Sequence, residues 1–287
     1  MSRMWPWLLL GIAVTAVAQQ PEPPIPDDGN VILAAVSRYE SMFAGGIGSS
    51  KWTGRGTVAV EPLANITPSG DWSSLPCTSG TGNGCRKFER EYLSKPHVYT
   101  VVSADGKGAT VHTAPTTLSE CYGYQGAGTY SGASIRSSAI AASSADFFAD
   151  STSPRLLKRE EGAALRKALA ALIPKRLDTT ERLGIFAMRL EGQDFYVVQR
   201  TFIDVATPEQ GARLVFFIGT VGQGRFHMLY RNHEDDQDER VLETIRLKSG
   251  RDFLVTSVSD PESQFFRVYG IRGGHLVLIY SGGGSSC

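Results

Sequence analysis

The C-terminal third of the chain alternates short β-prone runs with turn residues, and that alternation constrains its fold more than any other feature. The runs cover 184–190, 195–203, 213–221, 225–231, 240–247, 252–258, 265–271 and 275–280. Between them lie Glu191-Gly192-Gln193-Asp194, Pro208-Glu209-Gln210-Gly211, Gly222-Gln223-Gly224, the acidic stretch 234–239, Ser249-Gly250, Asp260-Pro261-Glu262-Ser263 and Arg272-Gly273-Gly274. Strands joined by such short turns pair antiparallel with their neighbours. Residues 184–280 are therefore expected to form one contiguous antiparallel meander, closing in a blade-like or barrel-like way. Leu214-Val215-Phe216-Phe217-Ile218 is apolar at successive positions. That pattern predicts a strand buried on both faces, with Phe216 and Ile218 in the core.

The N-terminal half is less regular. Asn30 can cap a helix whose apolar residues Ile32, Val36, Tyr39 and Phe43 recur at helical spacing until Gly45-Gly46. Short β runs follow at 57–60, 98–102, 110–113 and 129–135, and the small-residue segment 137–148 reads as helix or loop. A second helix is expected after Ser153 as N-cap and Pro154 at the first helical position. Leu157, Leu165, Leu169 and Leu172 share its apolar face, and Pro174 stops it. The expected fold class is α+β and β-dominated: an antiparallel meander with two amphipathic helices packed on it. Residues 30–152 read as an N-terminal α+β lobe and 153–287 as a helix plus β-meander lobe.

Residues 1–18 stand apart. Arg3 gives a positive start, 5–18 form an apolar run, and Ala16-Val17-Ala18 before Gln19-Gln20 is a small-x-small cleavage pattern. The run is shorter than the ~17 to 25 residues a spanning helix needs, so a signal peptide is expected rather than an anchor. Residues 19–29 form a Pro-rich acidic lead. The mature protein is expected in the periplasm or outside the cell, with no membrane span after cleavage. Among 287 residues, 29 basic side chains balance 29 acidic ones. That balance removes the electrostatic case for nucleic acid as a partner.

Export makes disulfides the expected use of Cys77, Cys85, Cys121 and Cys287. Four cysteines allow three pairings. Cys77 and Cys85 bracket the flexible Thr-Ser-Gly-Thr-Gly-Asn-Gly loop, which favours Cys77–Cys85 and Cys121–Cys287. With no Cys-x-x-Cys and no Cys/His pair at ligand spacing, no zinc site and no other cofactor is expected.

The run Ile245-Arg246-Leu247-Lys248-Ser249-Gly250-Arg251-Asp252-Phe253-Leu254-Val255 resembles the loop-plus-strand unit of integrin-like (FG-GAP or VCBS-type) β-propeller repeats. Gly250 matches the loop glycine, and Asp252-Phe253-Leu254-Val255 matches the strand start. Arg246, Lys248 and Arg251 stand where that family's calcium-binding acids would be. The following segment, from Phe266-Arg267-Val268-Tyr269 to Gly282-Gly283-Gly284 and Cys287, is similar to the ending of some exported bacterial proteins of unknown role. The resemblance covers about 40 residues and implies a four-stranded, blade-like sheet without a cation site.

Candidate chemistry is sparse. The histidines are His97, His112, His227, His233 and His275, and no Gly-x-Ser-x-Gly elbow accompanies them. His227 and His275 read as strand histidines among apolar neighbours. The stretch 233–239 reads as a solvated hairpin tip, with weak calcium binding or pairing to Arg231 and Arg240 as the alternatives. Gly123 to Gly132 misses the phosphate-loop spacings and reads as a Gly/Tyr turn. Asn65-Ile66-Thr67 has the form of a glycosylation sequon. Aromatics between Phe195 and Tyr280 suit a sheet core better than a glycan platform. These observations favour a non-catalytic binding or structural protein acting on an unidentified extracytoplasmic ligand or protein. The alternative is a hydrolase with a dispersed Ser/His/carboxylate site, for which His112, His227 or His275 would be the base.

Overall fold

A computed structural model of the protein describes residues 30–38, 56–76, 83–103, 107–118, 124–133, 138–149, 155–169, 184–203, 212–223, 225–232, 237–260 and 263–286. Its first layer is a closed antiparallel barrel of six strands. These are β1 (Val31–Arg38), β2 (Gly56–Ile66), β4 (Val98–Val101), β5 (Thr110–Thr113), β7 (Tyr124–Ser131) and β8 (Ser138–Ala142). They run in the order β2-β1-β8-β4-β5-β7, and β7 pairs back to β2 to close the ring. The short strands β3 (Trp72–Ser74) and β6 (Thr117–Leu118) extend β2 and β7.

The expected helix after Asn30 is instead strand β1. Ile32 and Val36 fit either period, because a spacing of four is also even and puts both side chains on one face of a strand. Val31 and Leu33 decide the matter, since they are buried on the opposite face. Ile32, Ala34 and Val36 point into the barrel, while Val31 and Leu33 point out against the next layer. Tyr39 and Phe43 lie outside the described residues. The Gly/Tyr segment is not a turn but β7. A Cβ on Gly128 would sit 2.9 Å from Val111 Cγ1 and 3.1 Å from the His112 carbonyl oxygen, so only glycine lets β7 close this narrow ring.

One helical element fills the barrel. α1 (Asn83–Phe88) runs into a single π-helical turn, Glu89–Leu93. Phe88 and Leu93 are fully buried among Ile32, Val58, Val101 and Val111, with Tyr92 packed beside them. The Ser94 and Lys95 amides donate to the carbonyls of Glu89 and Tyr92, and Ser94 Oγ donates to Arg90, which stops the turn.

The C-terminal strands follow the expected bounds closely but form two sheets. The first comprises β9 (Arg155–Leu156), β10 (Gly184–Leu190), β11 (Gln193–Ile203), β12 (Ala212–Gly222) and β13 (Arg225–Arg231), in the order β13-β12-β11-β10-β9. The second is the four-stranded meander β14 (Asp238–Arg246), β15 (Asp252–Ser259), β16 (Ser263–Arg272) and β17 (His275–Ser286). One contiguous sheet would leave strands apolar on both faces exposed on one side. Stacking cures this. Phe253, Val255, Phe266, Val268 and Tyr280 face the barrel, while Leu254, Tyr269 and Ile271 face Phe195, Phe216 and Ile218 of the five-stranded sheet. The meander is thus the middle of three layers.

The second helix, α2 (Arg159–Leu169), starts later than Ser153 and Pro154 suggest. Arg155 and Leu156 are taken by β9, which pairs with Ala187 and Phe186 of β10. Lys158 then caps the helix, and its amide donates to Glu161 Oε2 at 3.1 Å. Leu165 covers Ile185, Val198 and Phe217 on the outer face of the five-stranded sheet.

Of the three basic residues of the propeller-like loop, Arg246 braces the middle sheet internally, while Arg251 and Lys248 tether it to the barrel. Arg246 makes a bidentate pair with Asp252 at 2.6 and 2.7 Å. Arg251 donates to the Ser69 carbonyl at 2.9 Å, and Lys248 Nζ donates to the Asp146 carbonyl. Because Phe88 is fully buried as part of the barrel's plug, Phe88→Ala should cost about 3–5 kcal/mol in a urea titration. An unchanged midpoint would mean that the plug does not support the barrel.

Candidate functional site

His97 is the histidine most constrained by its surroundings. Its Nε2 lies 2.6 Å from the Tyr92 carbonyl oxygen, closing the end of the π turn. Its ring stacks on Tyr92 at 3.7 Å, and Tyr92 in turn stacks on Phe88. Burial holds the imidazole below the ordinary histidine range, which favours a neutral Nε2–H donor. His112, His227 and His275 are exposed strand residues, and their imidazoles make no hydrogen bond among the described residues. Among the described residues, none of His112, His227 and His275 is hydrogen-bonded to both a serine and a carboxylate. His233, Cys77, Cys121, Cys287 and the Cys85 side chain lie outside the described residues, so the expected pairings Cys77–Cys85 and Cys121–Cys287 do too.

The densest polar cluster is one the sequence reading placed in solvent. Glu239 belongs not to a hairpin tip but to β14, and it is fully buried between the middle and five-stranded sheets. Its Oε2 accepts from Tyr230 at 2.9 Å and from Arg267 at 2.8 Å. Its Oε1 accepts from Thr256 at 2.8 Å and Tyr269 at 2.7 Å. Arg267 also donates to Gln237 at 3.2 Å and lies over the Phe265 ring. Burial, chiefly, pushes the Tyr230 phenol up to about 12, with the Glu239 charge adding to it. Four donors consume the lone pairs of one carboxylate, which leaves no free site for a substrate or metal. Part of one alternative reading of the acidic stretch is present, since Arg240 pairs with Asp238, Nε to Oδ2 at 2.8 Å.

A smaller polar layer lies inside the barrel. The Tyr92 and Tyr99 hydroxyls are 3.1 Å apart, and Ser143 Oγ accepts from the Ile32 amide at 3.0 Å. Asn65, paired with Ile32 across the wall, is fully buried, and both its side-chain polar atoms are unpaired among the described residues. The sequon asparagine is therefore inaccessible in the folded protein. Between barrel and middle sheet, a cavity of about 10 Å³ is lined only by apolar groups including Leu33, Ile140, Val255 and Phe266. It is a dry packing void.

The surface, among the described residues, offers one concentrated feature. Among the described residues the exposed large apolar side chains are Val98, Val221, Met228, Leu229 and Leu278, and three of these five belong to the β12–β13 hairpin. Val221 pairs with Phe226, and Gly219 pairs with Met228, so these side chains share the α2 side of the sheet. Leu229 is the extra residue where the register shifts between Ile218 and Gly219. A Cβ on Gly219 would collide with the His227 carbonyl and the Phe226 ring, so glycine permits that bulge. The sequence reading bounded β13 correctly but did not single it out. The signal was there: Phe-His-Met-Leu-Tyr breaks the alternation of a half-buried strand. None of the aromatics between Phe195 and Tyr280 whose side chains are described is among the exposed apolar residues.

Comparison with family models, with curated proteins and with solved structures finds no match. Glu61 supplies a test of the described electrostatics. It lies on the outer wall of β2, paired with Ala35 and 7% exposed, and burial pushes its carboxyl up to about 7. The folded state thus holds the proton more tightly than the unfolded state does. Its contribution to stability is complete below the ordinary carboxylate pKa and is lost as pH rises through about 7. Glu61→Gln, which cannot ionise, should match the wild type near pH ~4 and exceed it near pH ~8.5 by up to ~3 kcal/mol. Parallel stability curves across that range would contradict the burial argument.

Proposed function

We propose that this is an exported, non-catalytic protein that binds a partner through the apolar end of the β12–β13 hairpin. The observation that carries the reading is the clustering of Val221, Met228 and Leu229 at one exposed site. Val221 and Met228 share one side of the sheet and Leu229 adjoins them in sequence, and apolar side chains gathered in this way mark docking sites more often than scattered ones do. Two further features fit the proposal. The chemically richest cluster, around Glu239, spends its hydrogen bonds on joining two sheets. The leader-like residues 1–18 and the four cysteines suit an oxidising compartment. The likeness of 245–255 to a propeller repeat enters only as a sheet whose loop carries basic residues, two of which, Lys248 and Arg251, reach the barrel.

A photo-activatable side chain at Leu229, installed in the producing cells, tests this directly. It should form a discrete adduct that the same group at Thr129 on the barrel wall does not form. Met228→Ser with Leu229→Ser should remove binding while changing stability by no more than ~0.5 kcal/mol per site, since both residues are exposed. No adduct at Leu229, or labelling of a serine by a fluorophosphonate probe, would overturn the proposal in favour of a different surface or of hydrolysis.

A further inference from the structure

The hairpin ends in an edge strand, which α2 packs against near Phe226. β13 is the terminal strand of its sheet, and no strand pairs with its outer side among the described residues. Five of its seven residues are exposed. Its sequence, Arg225-Phe226-His227-Met228-Leu229-Tyr230-Arg231, has a cation at each end and no acid. Unpaired amides and carbonyls along such an edge are a template for an added strand.

The charges say which strand can be added. Antiparallel pairing of two copies centred on Met228 would set Arg225 of one copy opposite Arg231 of the other, twice. Like charges directly opposite each other are destabilising. An extended segment with a carboxylate near each end would reverse both contacts, and its apolar middle would meet Met228 and Leu229. Two arginines in a chain of zero net charge are too few to hold an anionic membrane surface. We propose that the partner is an extended, acid-flanked apolar segment of another protein, added as a strand to the outer edge of β13. This rests on the docking role of the hairpin argued above and specifies its occupant.

The probe is a synthetic peptide of about nine residues, enough to span β13 at ~3.3 Å per residue, with a Thr/Val middle and an Asp at each end. A second peptide carries Lys at both ends. The full chain should bind the Asp-ended peptide about ten-fold more tightly than the Lys-ended one, with the difference shrinking as salt is raised. Hydrogen exchange should slow at β13 amides on binding. The variant Arg225→Glu with Arg231→Glu should keep its melting temperature and reverse the preference. Equal affinity for both peptides, or no reversal in the variant, would overturn the partner chemistry even where the Leu229 adduct stands. Concentration-dependent dimers lost in Leu229→Lys would put a second copy on the edge and overturn it too. Arginine-dependent adsorption to phosphatidylglycerol vesicles without peptide binding would replace the strand with a membrane.

Discussion

The rest of the structure depends on a sheet with no solvent-facing side. In β15 the residues Asp252, Phe253, Leu254, Val255 and Thr256 are all buried, and alternate ones face opposite layers. Phe253 and Val255 complete the barrel's outer core with Leu33, Leu63 and Ile140, while Leu254 and Tyr269 complete the five-stranded sheet's core. Each such side chain contributes about 1.5–3 kcal/mol by leaving water. Neither outer layer buries its apolar face without the middle one. The tethers reinforce this arrangement, since Asp252 accepts from Arg246 within the middle sheet and from the Glu191 amide, at 2.7 Å, in the turn of the neighbouring one.

Glu239 shows how a charge survives in that interior. A lone buried carboxylate would be heavily penalised. Here Arg267 neutralises it, and Tyr230, Thr256 and Tyr269 use its remaining lone pairs. Tyr230 comes from β13 and the other partners from the middle sheet. The network therefore fixes how the two sheets are seated, which apolar packing alone would specify less sharply. It also draws Tyr230 inward while Met228 and Leu229 remain outside.

The strands of the C-terminal half were legible because period and turn chemistry agree there. Glu191 and Gly192 adopt positive φ between β10 and β11, as do Gly273 and Gly274 between β16 and β17. Layering was not legible, because the change of sheet between β13 and β14 looks in sequence like one more hairpin turn. The even spacing of Ile32 and Val36 in β1 satisfies the helical period as well, so strand and helix look alike there. α1 and its π turn left little trace. The element is short, and its stability comes from burying Phe88 and Leu93 inside the barrel rather than from local propensity. The candidate site was legible only as an irregular strand. Glu239 was assigned to solvent because it closes an acidic run, and nothing local announces Arg267, which lies 28 residues further on.

The central claim is that the middle sheet is a shared core, which makes barrel and five-stranded sheet one cooperative unit. Native-state hydrogen exchange across a denaturant series measures this at individual amides. The slowest amides of β1, β12 and β15 should converge on one unfolding isotherm with one common denaturant dependence. Opening of β12 at lower free energy, with β1 and β15 still protected, would show that the five-stranded sheet folds on its own and would contradict the shared core.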